Sequence, residues 1–223
     1  MTAQAPVTPP AEDARARAQA DVLALRARKA RLDDASIDVI LRDARSHYAW
    51  TDRPVSDATL RDLYEITARG PTSMNTSPAR FVFVRDPAGK DRLARALKAK
   101  NIDKMRAAPV TAIIAWDPLY WQQLDKLFPH EDRKPLFEGR PDYAEETAFR
   151  NSTLQGAYFM IAARALGLDV GAMSGFSNEI VDQEFFADNG WKSNFLCNLG
   201  HADPAALFPR LPRFTFEEAC KIS

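Results

Sequence analysis

Apolar residues recur at three- and four-residue spacing in Ile37, Ile40, Leu41 and Ala44, and again in Leu60, Leu63 and Ile66, which predicts two amphipathic helices early in the chain. Ser36 is placed to cap the first and Ser56 the second, and Val55 with Leu60 has the spacing of a hydrophobic staple. Arg80 to Arg85 reads as a short apolar strand, Pro109 to Trp116, Val-Ile rich and without alternation, as a second and buried one, and Ser193 to Gly200 as a further apolar strand. Asp86-Pro87 reads as N-cap and first residue of a helix reaching Leu97. The longest helical pattern runs from Asp142 to Leu166, with Phe149, Leu154, Tyr158, Ile161 and Ala165 as its expected buried stripe and Gly167 as its stop. A short strand follows, and Asn178 is the expected cap of one more helix. Helices around short strands, with no internal repeat, predict an α+β fold whose sheet is short, mixed and mainly antiparallel.

The ends and one middle stretch break this rhythm. Residues 1–11 are small, polar and proline-bearing, as in an irregular tail; Glu12 to Arg31 is rich in Ala and Arg with a thin stripe of Val22, Leu23 and Leu25. Residues 1–35 therefore read as a helical extension, either solvated or packed on a partner subunit, and 36–223 as a single domain. Leu119 to Pro141, with Trp121, Phe128 and Phe137 among its prolines, reads either as a surface excursion with some buried aromatics or as a lid.

Thirty basic residues balance thirty acidic ones, so net charge gives no attraction to nucleic acid or an anionic membrane. No apolar run approaches the roughly 18 residues that span a bilayer, and Met1 to Pro10 lacks the pattern of an export signal, so a cytoplasmic protein is expected. Two cysteines, Cys197 and Cys220, and three scattered histidines lack zinc-site spacing, so no metal is expected. No Gly-x-Gly-x-x-Gly follows a strand, which removes a Rossmann nucleotide site, and no Gly-x-Ser-x-Gly elbow is present. Glu145 and Glu146 are adjacent on one helix and face different ways; Arg150 is either the i,i+4 partner of Glu146 or a candidate anchor for a substrate carboxylate.

One segment carries more chemistry. Gly70-Pro71-Thr72-Ser73-Met74-Asn75 stops a helix and sets several short polar side chains beside a buried strand, as a ligand turn or simply as a helix terminus. Arg45-Ser46-His47 precedes it and Arg210-Leu211-Pro212-Arg213 lies near the C-terminus. Two arginine sites and a hydroxyl suit a phosphate, because guanidinium binds phosphate oxygens bidentately and stays charged.

In order and spacing these segments resemble the nitroreductase family of flavin enzymes, from about residue 37 onward. The resemblance implies FMN, with its phosphate held by Arg45, Ser46 and Arg210 and with His47 among the cofactor-binding residues. It implies a flavin-ring turn at Pro71, Thr72, Ser73 and Asn75, ring and ribityl contacts from Asn101 and Lys104, and a loop along the flavin edge at Ala172, Met173, Ser174 and Gly175. Tyr48 replaces a basic residue common in the family, and Ser174 a common Glu. NAD(P)H would serve as co-substrate in a ping-pong cycle, and a homodimer would share two FMN sites, Pro71 to Ser73 facing the other subunit's cofactor. The wording of residues 69–79, 145–152 and 210–213 is similar to the malonic semialdehyde reductase (3-hydroxypropionate dehydrogenase) branch of Rut pyrimidine degradation. Three readings follow: reduction of malonic semialdehyde, reduction of nitro compounds or quinones, or flavin binding without turnover.

Overall fold

The computed structural model describes residues 11–223, so the tail expected for 1–11 lies outside the described residues except Ala11, which opens a helix. The chain divides into two compact units, Met1–Asp38 and Val39–Ser223.

The first unit holds α1 (Ala11–Arg28), whose Val22, Leu23 and Leu25 are exposed, and the short α2 (Asp34–Ile37). The cap of α2 is Asp33 and not the expected Ser36: the Asp33 carboxylate accepts the Ser36 backbone N–H at 2.6 Å. Both residue types cap well, and the helix opens one turn earlier than its apolar spacing suggests. A π-helical turn, Asp38–Arg42, follows.

In the second unit, α3 (Asp57–Thr67) is capped as expected by Ser56, which accepts the Thr59 N–H at 3.1 Å, and Val55 and Leu60 are both buried. Its inner face is Leu60, Leu63 and Thr67; Ile66, expected in that stripe, is exposed. Then come β1 (Ala79–Val84), α4 (Pro87–Ala94, capped by Asp86), α5 (Ala99–Ala107), the wholly buried β2 (Val110–Trp116) and α6 (Leu124–Leu127). The rest is α7 (Pro141–Ala165), β3 (Asp169–Met173), α8 (Asn178–Phe185), β4 (Lys192–Gly200) and α9 (Phe216–Ala219).

The four strands form one sheet in the order β1-β2-β4-β3, and every ladder is antiparallel. Parallel pairing, expected from a mixed sheet, is confined to the isolated bridge between Ser46 and Val170. One face packs on α3 and α7 through Leu63, Ile114, Phe159 and Leu199; the other packs on α4, α5 and α8 through Leu93, Met105, Ile113 and Val181. This makes an α+β layered domain.

Two expectations for the middle of the chain change. The expected stripe of α7 does not form its buried face: Phe149, Leu154, Tyr158 and Ile161 are 38–53% exposed, and Ala165 is exposed as well. The sheet side of α7 is instead built from Ala148, Ser152, Gly156, Phe159 and Ala163. A Cβ on Gly156 would come within 2.5 Å of the Phe195 ring, so the helix lies too close to the sheet for larger side chains there. Within 119–141, Phe137 is 1% exposed, stacked 5.6 Å from Tyr143 and edge-on to Tyr120 in a small core with Leu124 and Trp116. Phe137 thus offers no stacking face, while Trp121 and Phe128 are half-buried. Gly167, at φ +76°, ends α7 as expected, but Ser177 and not Asn178 caps α8; the Asn178 amide donates to the Ser193 carbonyl at 2.7 Å.

Candidate functional site

The segment after the π-helical turn runs beside β3. His47 N–H donates to the Val170 carbonyl at 3.0 Å, and Ser46 bridges Val170, which fixes residues 45–48 along the outer edge of the sheet. From there Arg45, Ser46 and Tyr48 line an open cavity of about 880 Å³ whose other wall is Phe208, Pro209, Arg210, Leu211 and Arg213. Arg42 and Arg164 complete it. The structure thus brings together Arg45, Ser46 and Arg210, which are separated by most of the sequence.

Three guanidiniums of this cavity donate to backbone: Arg45 to the Phe208 carbonyl, Arg164 to Ile40 at 3.3 Å, and Arg213 to Leu211 and Pro212. Carbonyls orient these groups without cancelling their charge. Asp43 lies 3.8 Å from Arg210. Several guanidiniums around one hydroxyl form a donor set suited to a phosphate dianion.

His47 turns away from that cavity. Its imidazole, 12% exposed, lies in a neighbouring space of about 300 Å³ lined also by Asp43, Arg45, Arg164 and Asp169. Nε2 is 3.2 Å from Asp169 Oδ1, while Nδ1 is buried without a hydrogen-bond partner. Burial lowers the His47 pKa; Asp169 opposes this, and Arg45 and Arg164 reinforce it.

Asn101 and Lys104 lie on α5. Asn101 is buried and its amide donates to the Gly175 carbonyl at 3.3 Å; a Cβ at Gly175 would sit 2.8 Å from that amide nitrogen. A larger residue at 175 would push the Asn101 amide out of this contact. The Lys104 ammonium stands 4.5 Å over the Tyr48 ring, which ties α5 to the Arg45 segment where a further basic residue was missing. At the end of β3, Ala172 and Ser174 are exposed and Met173 is half-buried.

The turn at 71–77 is a separate cluster. Met74, Asn75 and Ser77 adopt positive φ of 50°, 52° and 42°, strained for residues with side chains. Thr72 Oγ1 accepts the Ser77 N–H at 3.1 Å, the Asn75 amide donates to the Leu127 carbonyl at 2.8 Å, and the Ser73 N–H donates to Asn151 Oδ1 at 2.8 Å. Much of its polar chemistry is therefore spent on holding the turn, while Pro71, Ser73 and Asn75 remain exposed. No cavity described above includes both this turn and Arg45. Arg150 is exposed on α7 and ion-paired with Glu146. Sequence reasoning missed Arg164, Asp169 and Asn151: Arg164 reads as an ordinary basic residue in the last turn of a helix, and only folding turns it toward Arg45.

A sequence model of the nitroreductase family matches residues 41–201. The chain belongs to the nitroreductase family. Solved structures share the family fold. A Bacillus subtilis protein assigned as a nitroreductase aligns with TM-score 0.77 at 20% identity, over 86% of this chain and all (100%) of its own. An Exiguobacterium sibiricum protein assigned as a nitroreductase, solved with FMN, aligns with TM-score 0.74 at 20% identity over 87% of this chain and 99% of its own. A Staphylococcus epidermidis protein assigned as an NAD(P)H:FMN oxidoreductase gives TM-score 0.73 at 15% identity over 87% and 98%. No described helix is long and apolar enough to cross a membrane, and no described group of three or more His, Cys, Asp or Glu could hold a metal.

Proposed function

We propose that this chain is an FMN-dependent NAD(P)H oxidoreductase that reduces malonic semialdehyde to 3-hydroxypropionate. The observation that carries the flavin reading is the convergence of Arg45, Ser46 and Arg210 on one cavity with Arg164 beside them. When bound, FMN would supply the hydride-transfer chemistry between NAD(P)H and the second substrate. In this reading Arg45 and Arg210 hold the phosphate, with Ser46 adding a hydroxyl donor. Lys104 and Asn101 stand toward the ribityl and ring, Asn101 also keeping the Gly175 loop in place. The segment from Ala172 to Gly175, exposed at Ala172 and Ser174, would run along the flavin edge, with Ser174 contributing a short hydroxyl there.

The separate cluster at Pro71, Thr72, Ser73 and Asn75 faces the cofactor of a second subunit, so the complete site needs a homodimer. The exposed apolar positions Leu154, Tyr158 and Ile161, which share one side of α7, support that assembly, since a face of this kind on a single chain is a liability in water. Arg150 anchors the substrate carboxylate. Its exposed pair with Glu146 is weak enough, on the order of 0.3–0.5 kcal/mol, for a substrate to displace it.

A second reading is reduction of flat nitro compounds or quinones. It is favoured by a separate cavity of about 730 Å³ walled by Trp116, Trp121, Phe149 and Pro118. The deciding experiment is flavin absorbance of the purified protein, then NAD(P)H oxidation with malonic semialdehyde, a quinone and a nitroaromatic in parallel. A colourless protein that takes up no FMN refutes the flavin reading; turnover of the quinone or nitroaromatic alone moves the assignment to the second reading.

A further inference from the structure

His47 lies in the phosphate-binding segment but not in its cavity, and its surroundings give it a different task. Along the backbone, His47 N–H to Val170 and the Ser46 bridge join the segment to β3. Through the side chain, Nε2 meets Asp169 Oδ1 at 3.2 Å, and the other carboxylate oxygen accepts the Ala202 N–H at 2.8 Å. Asp169 is therefore held by the start of the C-terminal stretch and in turn holds His47.

The groups facing the imidazole are Asp169 on β3, Arg164 on α7, and Arg45 and Asp43 on its own segment. His201, itself influenced by Asp169 and Arg53, lies beyond the carboxylate. Two of the charges that oppose a proton on His47, Arg45 and Arg164, also line the phosphate cavity. An anion placed there offsets both, so the charged imidazole becomes less costly.

We propose that the His47–Asp169 pair is a positioning pair for the Arg45–Ser46 segment, and that His47 takes up a proton when a phosphate binds in the adjoining cavity. The inference rests on the FMN-phosphate reading and adds to it a residue that never touches the ligand. Linkage sets the sign. In the free protein burial and the two arginines depress the His47 pKa below its ordinary value near 6.5, and the bound anion raises it. The added affinity is thus full below the free-state pKa and is lost as pH rises through the bound-state pKa.

The test is FMN affinity from about pH 8 down to about pH 5.5, measured on apoprotein of the wild type and of His47→Gln, whose amide still donates toward Asp169 but does not titrate. Because the FMN phosphate titrates in the same range, the ratio between the two proteins is the readout. Expected is near equality, within about twofold, at about pH 8, with the wild type favoured by about three- to tenfold at about pH 5.5. Calorimetry in two buffers of different ionisation heat should show proton uptake on binding in the wild type that shrinks in His47→Gln and in Asp169→Asn. Parallel pH curves with equal proton uptake overturn the proposal, as does a loss in His47→Gln that is the same at every pH. A wild type that binds no FMN refutes the phosphate reading itself, a result distinct from bound FMN without His47-dependent uptake.

Discussion

Replacing Arg45 and Arg210 one at a time by alanine should weaken FMN binding unequally. Arg45 is half-buried at the foot of the cavity and oriented by the Phe208 carbonyl, so its contact with a phosphate is charge-assisted and partly shielded from water, worth about 1.5–3 kcal/mol. The Arg210 side chain is 49% exposed and has Asp43 at 3.8 Å, so solvent screening and that carboxylate leave it about 0.5–1 kcal/mol. The dissociation constant should therefore rise about 10- to 150-fold in Arg45→Ala and about 2- to 5-fold in Arg210→Ala. Arg45 also holds the carbonyl of Phe208, two residues before Arg210, so the two losses are coupled and the double variant should fall short of their sum. Quenching of flavin fluorescence by apoprotein measures all three constants. Riboflavin, which lacks the phosphate, is the control and should bind all variants alike. An Arg210→Ala loss equal to or greater than that of Arg45→Ala, or riboflavin weakened in step with FMN, would refute the reasoning.

Three further outcomes follow from the same structure. Ile161→Asp, placing a charge in the exposed stripe of α7, should convert a dimer to monomer in light scattering; a dimer that survives it uses another face. Gly156→Val should overpack the α7–sheet contact against Phe195 and cost about 1–3 kcal/mol, read as a Tm lower by about 2–12 °C, and an unchanged Tm would mean the helix can shift freely. Arg150→Lys should raise KM for malonic semialdehyde far more than for a quinone, since lysine keeps the charge but loses the fork; equal effects return Arg150 to its pair with Glu146.

How much of this was legible beforehand depended on the range of the interactions involved. The Ser56 cap with its Val55–Leu60 staple, the Asp86-Pro87 helix start, the Gly167 stop and the unbroken apolar run of β2 are local, set within a turn of helix or by burial on both faces, and each stands where the pattern puts it. Arg45-Ser46 and Arg210, singled out in the sequence as short polar motifs, do come to line one cavity.

Local pattern could not decide what faces what. The apolar positions read as the stripe of α7 lie outside, whereas its inner face carries Ala148, Ser152, Gly156, Phe159 and Ala163, with the close approach to the sheet at Gly156. Which aromatic of 119–141 is buried is decided only when Tyr120 and Tyr143 close around Phe137. The choice of Asp33 over Ser36 and of Ser177 over Asn178 as caps is degenerate in sequence, because neighbouring residues have nearly equal capping strength. Arg164, Asp169 and Asn151 meet their partners only across elements, and His47 is held by its backbone bond to Val170 and by the Asp169 carboxylate. Short-range hydrogen bonding and burial are thus written into the sequence, whereas the direction of each side chain across the sheet is settled only when the layers pack.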